Sequence, residues 1–276
     1  MNKPCHNIRF AASTSNGLKR KNNEDAFLIG TDFTINDCTF SPVPFHSPSG
    51  GVLAVADGMG GENAGEIASS LAMSAIREFF LFHLPPVLPL NPLSLRKMGS
   101  IVKDCLLYAD ARLKEHAMIT PGTRGMGTTI VIAWLLNNAA YVSWCGDSRA
   151  YHFRNGKDLN MLTYDHNWLR ELLAEGSVLT AEAFDHPAKN ILSQYIGDSH
   201  TVPRPGFNGI PLLKGDIILL CSDGLSSMIP DSEIKTILEQ NPDIDKCKDE
   251  LINAANRAGG YDNVTVVLAE IISLQA

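Results

Sequence analysis

Four short acidic clusters carry the chemical signal in this sequence: Glu24-Asp25, Asp57-Gly58, Asp223-Gly224 and Asp262-Asn263. Each stands where a strand meets a turn. Short carboxylates at strand ends can converge on one edge of a sheet, and an adjacent glycine lets a carbonyl or a ligand approach closely. Oxygen donors alone select hard divalent cations such as Mg²⁺ or Mn²⁺. The chain offers no His and Cys set of the kind zinc prefers. Any one Asp-Gly pair is a common turn. Four acidic clusters, each closing an apolar strand, point toward a metal site.

The composition narrows the class. A chain of 276 residues, 45% apolar and 19% charged, can bury a sizeable core as an ordinary soluble globular protein. Its net charge of −7 and scattered basic residues argue against nucleic acid, since only Lys19-Arg20-Lys21 cluster. The six cysteines (5, 38, 105, 145, 221 and 247) form no C-x-x-C pair, and Met1–His6 lacks the apolar segment of a secretory signal. Reduced thiols are expected, with Cys145 and Cys221 buried at the ends of apolar runs. No apolar stretch reaches the roughly 18 residues of a membrane span. The expectation is a cytoplasmic monomer, bound neither to membrane nor to nucleic acid.

The elements that must position the acids are legible from periodicity. Ile8–Thr14 and Ala26–Thr31 read as strands, followed by a long connection over Thr31–Gly50. Gly51–Ala56 reads as a buried strand that stops at Asp57-Gly58-Met59-Gly60-Gly61. From Asn63 the period becomes helical, with Ala64, Ile67, Ala68, Leu71, Ala75, Ile76 and Phe79 on one face. The proline-rich stretch Leu84–Pro92 ends that helix, and Leu95–Met118 forms a second. Thr128–Leu135 and Ala139–Cys145 make a hairpin across Asn137-Asn138, and Arg149–Arg154 follows as a strand. A short helix over His166–Glu175 precedes an irregular stretch, Ser177–Ser199. Asp216–Cys221 is a buried strand, and helices over Asp231–Glu239 and Ile244–Arg257 precede a last strand, Asn263–Ile272. Hairpins outnumber β-α-β units, so one α+β domain over 1–276 with antiparallel sheets covered by helices is expected.

The order and wording of the clusters carry a resemblance. Gly17-Leu18-Lys19-Arg20-Lys21-Asn22-Asn23-Glu24-Asp25 resembles the G-x-x-R-x-x-N-E-D opening of the metal-dependent PPM (PP2C-type) protein phosphatases. Asp57-Gly58-Met59-Gly60-Gly61 is similar to their second motif in its bacterial form. Gly127-Thr128-Thr129, Gly146-Asp147-Ser148-Arg149-Ala150-Tyr151, Leu162-Thr163-Tyr164-Asp165-His166, Ser222-Asp223-Gly224-Leu225 and Asp262-Asn263-Val264-Thr265 follow in family order. The similarity spans about residues 8–270; each motif alone is weak, and the seven in sequence are specific.

The resemblance implies a four-layer α-β-β-α sandwich and hydrolysis of phosphoserine or phosphothreonine in proteins by a metal-bridging hydroxide, opposing a cognate serine/threonine kinase. It implies two core Mn²⁺ or Mg²⁺ ions, with a third in some members. Asp57 would bridge the core ions and the Gly58 carbonyl would bind one. Glu24 or Asp25, Asp223 and Asp262 would supply further carboxylates, and Asp147 would hold a third ion shared with Asp223. Arg20 matches the arginine that grips the substrate phosphate, which two parallel hydrogen bonds allow and a lysine does not reproduce. Trp168–Gly197 resembles the family's flap, a subdomain at about 166–200 that gates such sites.

Met59 departs from the pattern, because many eukaryotic relatives carry a histidine there as general acid and a thioether cannot donate a proton. His166 and His186 are candidates for that task only by position, and a structural role is the expectation for each. Other chemistries fit less well. Tyr151 stands where a Cys-x₅-Arg loop from Cys145 would need arginine, and Gly122–Thr129 lacks the lysine of a phosphate-binding loop. A catalytically weak or dead relative serving as a phosphoprotein-binding module would have lost carboxylates that are all present here. A small phosphorylated metabolite remains an alternative target.

Overall fold

The computed structural model describes residues 7–30, 45–47, 51–61, 64–84, 94–154, 156, 158–176 and 191–274. Its strands are β1 (Asn7–Ser15), β2 (Asp25–Gly30), β3 (Phe45–Ser47), β4 (Gly51–Met59), β5 (Gly127–Thr128), β6 (Ile130–Leu136), β7 (Ala139–Cys145), β8 (Arg149–Arg154), β9 (Leu159–Met161), β10 (Gly206–Pro211), β11 (Asp216–Cys221) and β12 (Val264–Ser273). The helices are α1 (Ala64–Glu78), which runs on into a π-helical turn at Phe79–His83, α2 (Leu95–Ile119), α3 (Trp168–Ala174), α4 (Asp223–Ser226), α5 (Asp231–Gln240) and α6 (Ile244–Arg257).

Side-chain alternation in the central strands decides how these elements stack. In β4, Val52, Ala54 and Ala56 pack to one side while Leu53 and Val55 pack to the other, and all are buried. β6 divides Ile130, Ile132 and Trp134 from Val131, Ala133 and Leu135 in the same way. β12 divides Val264, Val266 and Leu268 from Val267, Ala269 and Ile271. A strand apolar on both faces needs a layer on each side.

The layers follow directly. One antiparallel sheet has the order β3-β1-β12-β11-β8-β9; the other runs β10-β7-β6-β4-β2, with β5 pairing with β4. One core lies between the sheets, a second under α1 and α2, and a third under α5 and α6. This is the expected α-β-β-α sandwich. On α2 the inward face is the expected one, with Met98, Ile101, Val102, Cys105, Leu106, Ala109 and Leu113 all buried. Asn137 and Asn138 adopt left-handed backbone (φ 50° and 61°), as the β6–β7 hairpin requires.

Several boundaries differ from expectation, each for a local reason. β4 does not stop at Ala56 but continues to Met59, because Gly58 and Met59 find partners in Thr128 and Gly127 of β5. The expected strand Thr128–Leu135 is accordingly divided at Thr129. Asp223-Gly224 opens the short helix α4 rather than a simple turn. Ile67 faces outward, and Ala72 and Met73 take the inward positions on α1. The short helix expected over His166–Glu175 begins later, at Trp168, where the Asn167 side chain accepts a bond from the Arg170 N–H. β9 and β10 were not expected; β10 carries two glycines and a proline, a composition poor in strand formers. Thr31–Gly50 lies outside the described residues except for β3, as do most of Leu84–Pro92, residues 177–190 with His186, and Cys5 and Cys38. Among the described residues no helix is long and apolar enough to cross a membrane.

Candidate active site

The register of β2 against β4 sets Asp25 directly opposite Asp57. The main chain of Asp57 is then fixed by the break at Thr129. Its N–H donates to Thr129 Oγ1 (3.1 Å), and its carbonyl accepts from the Thr129 N–H (2.9 Å) and Thr128 Oγ1 (2.8 Å). Thr129 Oγ1 also bonds Ser148 Oγ at 2.7 Å, which ties this strand to the turn carrying Asp147. Gly58 donates its N–H to the Glu24 carbonyl (3.0 Å) and lies so close to Gly65 that a Cβ on either would collide with the other's backbone. The start of α1 can therefore press against the strand end, and the Glu24 carboxyl lies over Gly65.

The other sheet supplies the remaining acids. Ser222, after β11, donates its hydroxyl to Asp25 Oδ2 (2.7 Å) and accepts from the Thr265 N–H (3.0 Å), and Asp223 follows at the start of α4. Asn263 is buried and works as a staple: Oδ1 accepts from the Glu24 N–H (2.8 Å) and Nδ2 donates to the Asn22 carbonyl (2.9 Å). That joins the Arg20–Glu24 loop to Asp262. Arg20 Nη2 donates to Asp262 Oδ2 at 2.7 Å, with both side chains open to solvent at the rim. The structure thus gathers Arg20, Glu24, Asp25, Asp57, Gly58, Asp147, Asp223 and Asp262 where adjoining ends of the two sheets meet.

The electrostatics of this gathering are severe. Burial pushes the Asp25 carboxyl up to about 7, and the bonds from Ser222 and Thr265 offset it only in part. Asp147 is pushed up to about 7 by burial, and then by Asp223 and Asp165. Asp57 is driven well above the usual carboxylate range by removal from water, then by Asp25, Asp223, Asp147 and Asp262. Burial raises Asp223 and Glu24 also. Asp25 Oδ1 and Asp223 Oδ1 are buried without any hydrogen-bond partner. Buried carboxylates left unpaired are costly, and a hard cation with oxygen ligands is the partner that relieves them. The residues therefore fit divalent ions. Among the described residues no three acid, imidazole or thiol groups close into a compact cage.

Some contributors escaped the sequence reading of individual residues. Asp165 lines the same cavity as Asp147, Asp223 and Asp262, where Arg149 grips it through Nε (2.8 Å) and Nη2 (2.7 Å). Thr129, Ser148, Ser222 and Asn263 hold the acids in place. All five stand inside the recognised motifs, so the motif boundaries were the available signal. His166 is structural as expected: its Nδ1 accepts from the Gly146 N–H (3.2 Å), and burial lowers it to about 4. Cys145 and Cys221 are free and buried, and burial pushes both thiols up to about 12, so neither offers a thiolate.

Comparison with known proteins gives the same picture. The family model for protein phosphatase 2C matches residues 10–171. Serine/threonine phosphatase Stp of Listeria welshimeri is 35% identical over 79% of this chain and 84% of its own length. The crystal structure of the Mycobacterium tuberculosis serine/threonine phosphatase PstP/Ppp superposes with a TM-score of 0.77 at 31% identity, covering 97% of this chain and 100% of that one. The catalytic domain of PstP in complex with two manganese ions superposes with a TM-score of 0.74 at 29% identity, over 97% of this chain and 100% of that one. A model match over more than half of the sequence, joined to that identity across most of both chains, means that this chain belongs to the protein phosphatase 2C family.

Proposed function

We propose that this cleft hydrolyses the phosphate esters of phosphoserine and phosphothreonine in proteins, with Mn²⁺ or Mg²⁺ as cofactor. The observation that carries the reading is the crowd of buried, partly unpartnered carboxylates with too little positive charge to balance them. Asp57 and the Gly58 carbonyl, with Glu24 or Asp25, Asp223 and Asp262, would hold two core ions; Asp147 and Asp223 would hold a third. When bound, such ions lower the pKa of water and neutralise phosphoryl oxygens. The named relatives, serine/threonine phosphatases, support the substrate class.

The protein's own groups complete the task. Thr128 and Thr129 hold the Asp57 backbone still, so the chain there need not be ordered during turnover. Arg20, exposed at the rim beside Asp262, presents a planar fork suited to two oxygens of a phosphate. Asn167, which caps α3, and Leu169 within it line the cavity, which supports the role of residues 166–200 as a flap on a single domain. Met59 has no proton to give, and His166 is committed to Gly146. The reading as a silent phosphoprotein-binding module gains nothing, since no ligand carboxylate is lost. A serine/threonine kinase in the same pathway, a cytoplasmic location and a monomer belong to this proposal; the buried free thiols suit a reducing compartment.

The direct test is hydrolysis of a phosphothreonine peptide and of p-nitrophenyl phosphate with Mn²⁺ or Mg²⁺, then with chelator. Turnover should appear with the ions and vanish with chelator; undiminished activity in chelator refutes the reading. Arg20→Ala should raise KM about tenfold or more while moving kcat less, because it removes charged hydrogen bonds to the phosphate. An unchanged KM would overturn its assignment.

A further inference from the structure

The acids share their cleft with an apolar wall that hydrolysis itself does not use. A cavity of about 780 Å³ brings Asp147, Asp223 and Asp262 together with Leu169, Met228 and Tyr261. Tyr261 directly precedes Asp262 and is 62% exposed. Its ring lies against the main chain of Gly259, where φ is +134° and a Cβ would collide with ring atoms Cε2 and Cδ2. Gly260, with φ +53°, carries Leu18 in the same manner. The Leu18 N–H donates to the Gly260 carbonyl (2.8 Å), and its side chain is 65% exposed two residues before Arg20.

A glycine pair therefore supports two large apolar side chains from beneath and leaves their outer surfaces open, next to the Arg20–Asp262 pair. A tyrosine fixed in this way loses little rotamer freedom on binding. Exposed apolar surface beside a reaction centre is a contact surface in waiting. The charges indicate what it contacts. Arg149 is the basic residue that lines the cavity among the described residues, and it is fully engaged by Asp165 and the Tyr151 hydroxyl. Asn167, Ser226 and Ser227 add only neutral polar groups. Among the described residues no free cation lines the cavity itself; the exposed Lys19 and Lys21 stand outside that lining, beside Leu18 and Arg20.

We infer that Tyr261, with Leu18 beside it, is a specificity-determining element that receives an apolar side chain adjacent to the phosphorylated residue of the substrate. The inference rests on the phosphatase reading: the acids fix the phosphate, and the next residue, one Cα step of about 3.8 Å away, must then lie along this wall. Tyr261 acts on the fit of the substrate chain and takes no part in bond cleavage.

The test compares phosphothreonine peptides that differ only in the residue before or after the phosphothreonine, with Leu or Gly at that position, assayed with Mn²⁺. Leu should exceed Gly in kcat/KM by about tenfold at one of the two positions, chiefly through KM. Tyr261→Ala should bring the Leu-to-Gly ratio close to one, whereas Tyr261→Phe, which keeps the ring, should preserve it. Leu18→Ala should reduce the ratio in part. Equal use of Leu and Gly peptides by the unaltered protein, or a ratio unchanged in Tyr261→Ala, would overturn the inference. If no peptide is hydrolysed with Mn²⁺, the phosphatase reading fails instead, so the two failures are distinct.

Discussion

Asp216 and the cleft acids are all carboxylates taken out of water, and the fold treats them in opposite ways. Asp216 opens β11 and is fully buried. Arg154 donates to it through Nε and Nη2 (2.7 Å each), the Leu213 N–H donates at 2.8 Å, and His152 Nε2 stands 2.9 Å away. Burial alone would push its carboxyl up, but these partners outweigh that and hold it below the usual range. At the other place, Asp25 and Asp223 each keep an oxygen that nothing in the chain satisfies. Their neighbours are more acids. The lesson is that burial does not distinguish a structural acid from a ligand, whereas the completeness of its hydrogen bonding does.

The largest effect that could break this contrast comes from removing each kind of acid. Asp57→Asn or Asp223→Asn should lower phosphopeptide turnover with Mn²⁺ by about 10²–10³-fold or more. In chelator, neither change should lower the melting temperature, since each removes a charge from a crowded, unbalanced set. Asp216→Asn should do the reverse: stability falls by about 3 kcal/mol as Arg154 loses its buried partner, and turnover per folded molecule stays near that of the unaltered protein. Melting curves with and without chelator, read beside peptide kinetics, decide the matter. A metal-free Asp57→Asn protein as destabilised as Asp216→Asn would erase the distinction.

The contrast also shows what the sequence could and could not reveal. The buried strands β4 and β11 and the helical face of α2 were readable because one chemical rule, burial of apolar side chains, fixes them. Asp57, Asp223 and Asp262 were visible because Asp57 and Asp223 close apolar runs, Asp262 stands just before one, and the motifs run in family order. The extension of β4 to Met59 was not visible, since it depends on pairing with Gly127 and Thr128, nearly seventy residues away. Nor could spacing tell that Arg149 holds Asp165 while Arg154 holds Asp216. Those partnerships arise from which strands lie side by side, and β8 pairs with β11 only in the folded sheet. The Tyr261 wall is of the same kind, because its support is a glycine turn that brings Leu18 across from the start of the chain.

A smaller effect follows with pH. Asp25 and Asp147 have folded values of about 7, above their ordinary value of 3.8. In that window the folded protein binds protons that the unfolded chain has released, so stability is present at low pH and is lost as pH rises toward about 7. For Asp216 the sign is opposite: its folded value is depressed, so its contribution exists above 3.8 and is lost only on acidification. The metal-free protein should therefore melt at a lower temperature at about pH 8 than at about pH 5. Saturating Mn²⁺ should flatten or reverse that slope by favouring the charged carboxylates. A metal-free melting temperature that rises steadily over this range would show that the cleft acids are already balanced within the chain.

The finest test lies at Ser222, whose hydroxyl gives Asp25 something of the treatment Asp216 receives. Ser222 Oγ donates to Asp25 Oδ2 and accepts from the Thr265 N–H, so it both aims a carboxylate and satisfies a buried donor. Ser222→Ala leaves the Thr265 N–H unpaired and should cost about 1–2 kcal/mol of stability. A purely structural role would end there. If Ser222 also positions Asp25 for a cation, the Mn²⁺ concentration giving half-maximal turnover should rise about tenfold, while kcat at saturating Mn²⁺ changes only a few-fold. A loss of stability with an unaltered Mn²⁺ requirement would place Ser222 with the framework around Asp216 rather than with the site. The two readouts separate because the first follows the Thr265 bond and the second follows the Asp25 bond.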